Sequence, residues 1–583
     1  MTFSFRQYWE LLATHIRPQR GRFAGLVTLM FFSIGLQVVN PQILRFFIDA
    51  ALGGGAVQTL TLAALAFIGI ALMQQGISVS VTYLGESLAW TATNALRSDL
   101  ARHCLNLDMS FHNNHTPGEL IERIDGDVSE MANFFSQFIV TLLGNGLLMV
   151  GILAALFREN WIAGLVFTIF SGAALLALSR VRNLAVKEHK ARRQAEAELF
   201  GFVEEQLTGT EDIRSSGAVT FSLRELFRLQ GNIFRSDRKA HQKGWWIDNL
   251  MIAMLVLGNL LAMGSGYTLF KMGAITIGTV YLFIYYINQL EAPLWTLTRQ
   301  VGNFQTIGAC VERLTELKNT HPVVQDNPGR DGHLPAGPLG LAFEDVSFSY
   351  NSEETILTHL TFQVKPGKVL GLLGRTGSGK TTITRLVFRL YEPSQGQISI
   401  EGKDLRSCDL QALRQRVGMV TQEVQLFHAS VRDNLTFFDS SIPDASIIAV
   451  LEDLELGDWL RGLPAGLDTE LQAGGHSLSA GEAQLLAFAR IFLRNPGLVI
   501  LDEASSRLDP ATEQRVERAI DKLLRDRTAI VIAHRLGTVE RADDIMILDD
   551  GKISEFGDRA SLAANPGSTF YHLLQTGMEE VLV

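Results

Sequence analysis

Cysteine is scarce: the 583-residue sequence has three, Cys104, Cys310 and Cys408, far apart and odd in number. None belongs to a CxxC pair, which argues against a cysteine metal site and a disulfide framework. Three unpaired thiols fit reducing surroundings. An excess of basic charge is also missing. The formal net charge is −10, so the chain is not expected to bind nucleic acid. The opening stretch, MTFSFRQYWELLATHIRPQR, is not read as a cleavable signal. Its aromatic and apolar residues alternate with cations, as in a helix lying along a membrane surface. A short soluble cap helix is the alternative.

What is abundant is apolar sequence, at 47% of residues, and the mean hydropathy is above zero. The hydrophobic runs all fall before about residue 300. They predict spans near Phe23–Phe47, Leu60–Leu84, Phe134–Phe157, Trp161–Leu178, Leu250–Phe270 and Ile275–Leu294. Each is near the roughly 20 residues a helix needs to cross a bilayer. Asn40, Pro41 and Arg45 interrupt the first run, and Gln74 and Gln75 the second. Polar groups are costly in lipid, so these are expected to face the bundle interior or a water-filled cavity. A buried soluble bundle would rarely carry six such runs.

Loop charge sets the orientation. A dozen lysines and arginines lie between Arg182 and Lys243, whereas the loops on the other side offer only Arg158 and Lys271. The positive-inside rule then makes the long loops and both chain ends cytoplasmic. Helical periodicity in these loops predicts that the spanning helices continue into the cytoplasm. A Pro/Gly-rich stretch near residues 320–340 marks a boundary. Residues 1–320 form the first domain, 321–340 the linker and 341–583 the second domain, where β-rich runs alternate with helical ones.

The second domain carries chemistry. An apolar strand from Val369 enters Gly374-Arg375-Thr376-Gly377-Ser378-Gly379-Lys380-Thr381-Thr382, and a helical run follows. This is G-x-x-x-x-G-K-[ST] in strand–loop–helix context. Its glycines let backbone N–H groups curl around phosphate oxygens, and the helix N-terminus adds positive potential. Lys380 is expected on the β- and γ-phosphates and Thr381 on Mg²⁺. About 120 residues later, Leu498 to Leu501 read as a buried strand ending in Asp502 and Glu503. Asp502 can hold Mg²⁺, and Glu503 can polarise a water for attack on the γ-phosphate.

With these motifs in place, residues 341–583 resemble the nucleotide-binding domain of an ATP-binding cassette (ABC) transporter. The first half resembles the six-helix membrane domain of exporter-type members. The implied fold is a membrane α-helical bundle with long cytoplasmic extensions, followed by an α/β P-loop ATPase domain. The resemblance implies ATP and Mg²⁺ as ligands. It places Tyr350 on the adenine, Gln422 at the Mg²⁺ and the attacking water, Glu503 as general base, and His534 at the γ-phosphate. Ser506-Arg507-Leu508-Asp509 matches the loop facing the opposite ATP site, where Arg507 replaces a common Ala.

LSAGE, at Leu478–Glu482, matches the family's LSGGQ, which serves the ATP bound by the other subunit. Ala480 stands for Gly and Glu482 for Gln, while Ser479 and Gly481 are unchanged. S-x-x-E also reads as a capping box opening a helix, so Glu482 can take the structural place of Gln. One cassette per chain implies a dimer of half-transporters. Ala480, Glu482 and Arg507 all lie on the face the partner sees, which favours a heterodimer slightly over a homodimer. By resemblance, coupling helices are expected near Phe111–Glu119 and Gly209–Ser216.

The expected activity is ATP-driven export of a small hydrophobic or amphipathic substrate, in contact with membrane lipid and without nucleic acid. The expected location is a bacterial inner membrane. Two other readings stay open: an importer of a small chelate on the same fold, and an ATP-binding regulatory half. A soluble DNA-repair ATPase would lack the six spans.

Overall fold

The computed structural model describes residues 5–183, 186–300, 303–324, 334–351, 354–421, 424–472, 478–502, 510–533 and 536–576. The chain divides into two compact units. One comprises Met1–Leu105 with Thr116–Thr320, the other Asn106–His115 with His321–Val583.

The first unit is helical throughout its described residues. Among the described residues five helical stretches are long and apolar enough to cross a membrane: Ala13–Leu52, Val57–Leu105, Pro117–Glu159, Trp161–Arg180 and Val219–Lys271. The Val57–Leu105 and Val219–Lys271 helices have 49 and 53 residues. At 1.5 Å per residue they run roughly 75–80 Å, against about 30 Å of hydrocarbon, so they extend far beyond a bilayer.

The sixth expected span is not one helix. It is two, Ile277–Gln289 and Glu291–Gln300, meeting at Leu290. Pro293 explains the break: it has no N–H to give, and its ring crowds the carbonyl four residues back, at Gln289.

The bundle core gathers Ile152, Leu156, Phe167, Leu178, Phe283 and Ile287, with Phe167 edge-on to Phe283 at 5.8 Å. Two charged residues of the Ala13–Leu52 stretch find partners, whereas the buried Asn40 leaves its Oδ1 without one among the described residues. Arg45 pairs with Glu159, and Asp49 accepts from Gly278 N at 2.9 Å and from the Thr276 hydroxyl at 2.7 Å. The Tyr286 hydroxyl donates to Val38 O at 2.7 Å. A charge kept at membrane depth needs such partners. Gln74 is half-buried and Gln75 exposed, so one chain's bundle does not enclose them.

The second unit is built on β-sheets. Its strands are β1 (Leu341–Phe348), β2 (Leu357–Val364), β3 (Val369–Gly374), β4 (Gln395–Ile400), β5 (Lys403–Asp404) and β6 (Val417–Val420). They continue with β7 (Ala429–Ser430), β8 (Glu470–Leu471), β9 (Leu498–Asp502), β10 (Thr528–Ile532), β11 (Asp544–Asp549) and β12 (Lys552–Asp558). An antiparallel sheet runs β2-β1-β4-β5, and a larger one runs β12-β11-β3-β10-β9-β6. In the larger sheet all neighbours are parallel except β11 and β12.

Strands β3 and β10 are buried along their whole length, as continuous apolar runs in a covered parallel sheet must be. One face of the large sheet packs on Leu485, Phe488, Val516 and Leu523, the other on Ile383, Leu386 and Phe343. The register aligns Leu372 and Asp502 across Ile532 of β10. The carboxyl ends of β3, β9 and β10 therefore lie together at one edge of the sheet. A crevice outside the carboxyl ends of parallel strands is where α/β sheets bind ligands.

Candidate functional site

The loop leaving β3 is the centre of this edge. Gly374 has φ +147°, and a Cβ there would lie 2.3 Å from Leu548 O. Gly379 has φ +102°, and a Cβ there would lie 2.5 Å from Leu357 Cδ2. Only glycine tolerates either position, so the loop's glycine spacing is a steric requirement. The Lys380–Val387 helix starts directly after it.

Lys380 is buried, and its Nζ donates to Gly374 O at 2.6 Å and Arg375 O at 2.9 Å. These bonds hold the loop's curvature from within. Ser378 is also buried, and its Oγ has no hydrogen-bond partner among the described residues. An orphaned buried hydroxyl is costly. A phosphate oxygen seated in this loop would satisfy it, so the loop suits a polyphosphate.

Tyr350, just past β1, stands over the same helix. Its hydroxyl lies 3.1 Å from Thr382 Oγ1 and accepts from Arg385 Nη1 at 3.2 Å. Its ring meets Tyr391 edge-on at 5.0 Å and Phe348 at 4.9 Å. The ring is partly exposed, and a flat base can stack there. Thr381 opens the helix beside Lys380, and Asp502 ends β9 at the same edge. A hydroxyl and a carboxylate are hard oxygen donors of the kind Mg²⁺ takes.

The Ser479 segment opens the Ala480–Arg494 helix with both halves of the expected capping box. The Ser479 hydroxyl accepts from Glu482 N at 3.3 Å, and Ser479 N donates to Glu482 Oε2 at 2.8 Å. Ser479 Oγ also donates to that carboxylate oxygen at 2.8 Å. Ala480 is exposed as the first helical residue, and Gly481 is buried behind it. Gln422, Glu503, His534 and Asp509 lie outside the described residues, as do Ser506, Arg507 and Leu508.

Three residues with structural roles escaped the sequence reading. Arg490, on the buried face of the Ser479-capped helix, donates to Asn434 O at 2.8 Å and Gln425 O at 3.0 Å. Its guanidinium lies 4.7 Å from the Phe437 ring centroid. Burial, with the Arg494 charge added, pushes its pKa down to about 10. Its signal was visible: an arginine inside the apolar run LLAFAR.

The other two are Tyr391 and Asn113. Tyr391 is buried, and its hydroxyl accepts from Asn113 Nδ2 at 2.7 Å. Asn113 lies in the last turn of the short Met109–Asn114 helix, which is N-capped by Asp108. Burial raises the Tyr391 pKa, and the neighbouring Tyr350 adds to it, so the phenol stays protonated. No local pattern links residue 113 to residue 391; only the fold joins them.

Comparison with known proteins gives two family matches along the chain. A model of the ABC transporter transmembrane region matches residues 24–294, and the ABC transporter model matches residues 357–506. An ATP-dependent lipid A-core flippase of Methylobacillus flagellatus is 31% identical over 489 residues, 82% of this chain and 82% of that protein. A fatty acid ABC transporter ATP-binding/permease protein of Mycobacterium tuberculosis is 29% identical over 472 residues, 81% of this chain and 74% of that protein. A solved bacterial Atm1-family ABC exporter with ATP bound has the same fold. It is 24% identical, with a TM-score of 0.78, covering 96% of this chain and 98% of that one.

Proposed function

Because the chain belongs to the ABC transporter family, as an exporter-type half-subunit whose ATPase is coupled to translocation, we propose that it exports a hydrophobic or amphipathic, lipid-like substrate as one half of a dimer. The observation carrying this reading is the fusion of membrane-crossing helices to a glycine-strained phosphate loop at a parallel-sheet edge. Relatives described as flippases for lipid A-core and transporters of fatty acid support the substrate class. Bacterial relatives and the loop charge support a bacterial inner membrane with the ATPase unit cytoplasmic. The proposed domains are 1–320 and 341–583, joined by 321–340.

In this reading ATP binds with its base on Tyr350 and its phosphates on Gly374–Thr382, where Lys380 and Ser378 contact phosphate oxygens. Thr381, Asp502 and Gln422 would hold Mg²⁺, which would supply positive charge against the phosphates. Glu503 takes the proton of the attacking water, and His534 contacts the γ-phosphate. Ser479, Ala480, Gly481, Glu482 and Asp509 complete the partner's site. We propose a heterodimer, because Ala480, Glu482 and Arg507 alter the face turned to that partner.

The test is the chain purified alone in lipid nanodiscs, measuring particle mass and Mg²⁺-ATPase rate beside Glu503→Gln. An inactive particle that gains ATPase on adding a second half-subunit is the expected result. An active dimer of this chain alone, silenced by Glu503→Gln, would replace the heterodimer with a homodimer. ATPase unchanged by Glu503→Gln would remove the catalytic assignment.

A further inference from the structure

A cleft of about 940 Å³ opens between the Val186–Thr208 and Val219–Lys271 helices, both in the first unit. Glu188 lines one side; Lys239, Lys243, Trp245 and Trp246 line the other. The apolar run from Leu250 begins just after the tryptophans. Lys243 lies seven residues before it, roughly 10 Å along the helix axis, at the depth of lipid headgroups.

Interfacial tryptophans beside lysines are common, and alone they mark only an aromatic belt. The belt does not account for Glu188. Its Oε2 is shielded from solvent and has no hydrogen-bond partner among the described residues. A carboxylate oxygen in that state is destabilising unless a cationic donor reaches it. The two lysines in the same cleft make no ion pair with it within 4.0 Å among the described residues. Among the described residues the cleft thus holds a carboxylate oxygen without a partner and two lysines one helical turn apart from each other, and in the sequence two tryptophans stand between those lysines and the apolar span.

We propose that this cleft receives the headgroup of a zwitterionic amphiphile, one bearing an ammonium and a phosphate, while its acyl chains stay in the inner leaflet. The ammonium meets Glu188 and the face of a tryptophan, where a cation is attracted by the ring. The phosphate meets Lys239 and Lys243, by charge-assisted hydrogen bonds. A purely anionic lipid leaves Glu188 repelling it, and a purely cationic one faces the lysines. The proposal rests on the export reading and names the substrate class of that transporter.

The experiment titrates the full chain in nanodiscs with three short-chain probes and follows tryptophan fluorescence. The probes are dihexanoyl phosphatidylethanolamine, dihexanoyl phosphatidylglycerol and an alkyltrimethylammonium. The chain has seven tryptophans, so Trp245→Phe and Trp246→Phe assign the signal to the cleft. The expected result is binding of the zwitterion roughly tenfold tighter than either singly charged probe, the scale of one charged hydrogen bond. Glu188→Gln should abolish the preference over the anion, and Lys239→Gln with Lys243→Gln the preference over the cation.

Equal affinity for the three probes overturns the site, and so does a preference that survives Glu188→Gln. An ATP-induced thermal shift identifies variants that are folded; where they are not, the three-probe comparison on the unaltered chain decides. Selective binding with no ATP-driven movement of a fluorescent phosphatidylethanolamine, in vesicles holding the assembled, ATPase-active transporter, would remove the export reading and leave the site. Movement without headgroup preference would do the reverse.

Discussion

The hydroxyl of Tyr391 accepts a hydrogen bond from Asn113 at 2.7 Å, and the ring of Tyr391 meets that of Tyr350 edge-on at 5.0 Å. Tyr350 in turn reaches Thr382, in the helix after the phosphate loop, at 3.1 Å. A short helix at residues 109–114 is thereby tied to the proposed adenine position through two aromatic rings. Tyr391→Phe keeps the ring and removes the acceptor. A net hydrogen bond contributes about 1 kcal/mol, so amide exchange in residues 109–114 should quicken roughly fivefold. Unchanged exchange there would mean that Asp108 and Val323 hold the helix without Tyr391.

Glu482 closes its capping box through Oε2, which accepts from both Ser479 N and Ser479 Oγ, so in the proposed partner site the effect to test is that of its charge. A carboxylate roughly 8 Å from a partner's phosphates, at an effective dielectric of about 40, opposes binding by about 1 kcal/mol. Glu482→Gln keeps an acceptor for Ser479 N and removes the charge. In the assembled, active transporter the KM for ATP should fall roughly fivefold, with helix stability unchanged. A KM that rises would show that the carboxylate accepts a hydroxyl of the nucleotide.

The phosphate loop was legible because its steric demands are local: Gly374 and Gly379 sit where no side chain fits, and sequence spacing records that directly. The capping box at Ser479 was legible for the same reason, since two residues three positions apart, Ser479 and Glu482, define it. The buried strand ending in Asp502 followed from an unbroken apolar run. The split of the sixth span at Leu290 was missed because hydropathy averages over Pro293, whereas backbone hydrogen bonding does not. Arg490, Tyr391 and Asn113 were missed because their partners lie 56 to 278 residues away. Glu188 needed the structure for another reason: an absent hydrogen bond leaves no mark on a sequence.

Asp108 sets an acid limit on the 109–114 helix. Burial opposes its ionisation, but the Ser110 hydroxyl and the backbone N–H groups of Val323 and Phe111 outweigh that and hold its pKa below the usual 3.8. The group is an acid with a lowered folded pKa. Its stabilisation is therefore complete above the unfolded value and lost as pH falls through the folded one. Protection of residues 109–114 should be flat from neutrality to about pH 4 and fail below it. Loss of protection between pH 7 and 5 would assign the contact to some other group.

Arg490 joins the helix that begins at Ser479 to the segment that follows residue 424. Its bonds satisfy the backbone carbonyls of Asn434 and Gln425. Burial, with the Arg494 charge added, pushes its pKa down to about 10, and the group remains protonated at neutral pH. Arg490→Met fills a similar volume and loses the donors, leaving buried carbonyls short of a partner. Each such loss costs about 1–3 kcal/mol, so the midpoint of thermal unfolding of the ATPase unit should drop measurably. Activity should fall further than stability, because Ser479 sits eleven residues up the same helix and in the proposed function meets a phosphate, where small misplacements are costly. Arg490→Lys discriminates the two effects. It restores one donor and the charge, but not the fork that reaches both carbonyls. Stability should recover in part while ATPase stays low. Full ATPase recovery in Arg490→Lys would show that charge alone, not the two-carbonyl geometry, holds the Ser479 helix in place.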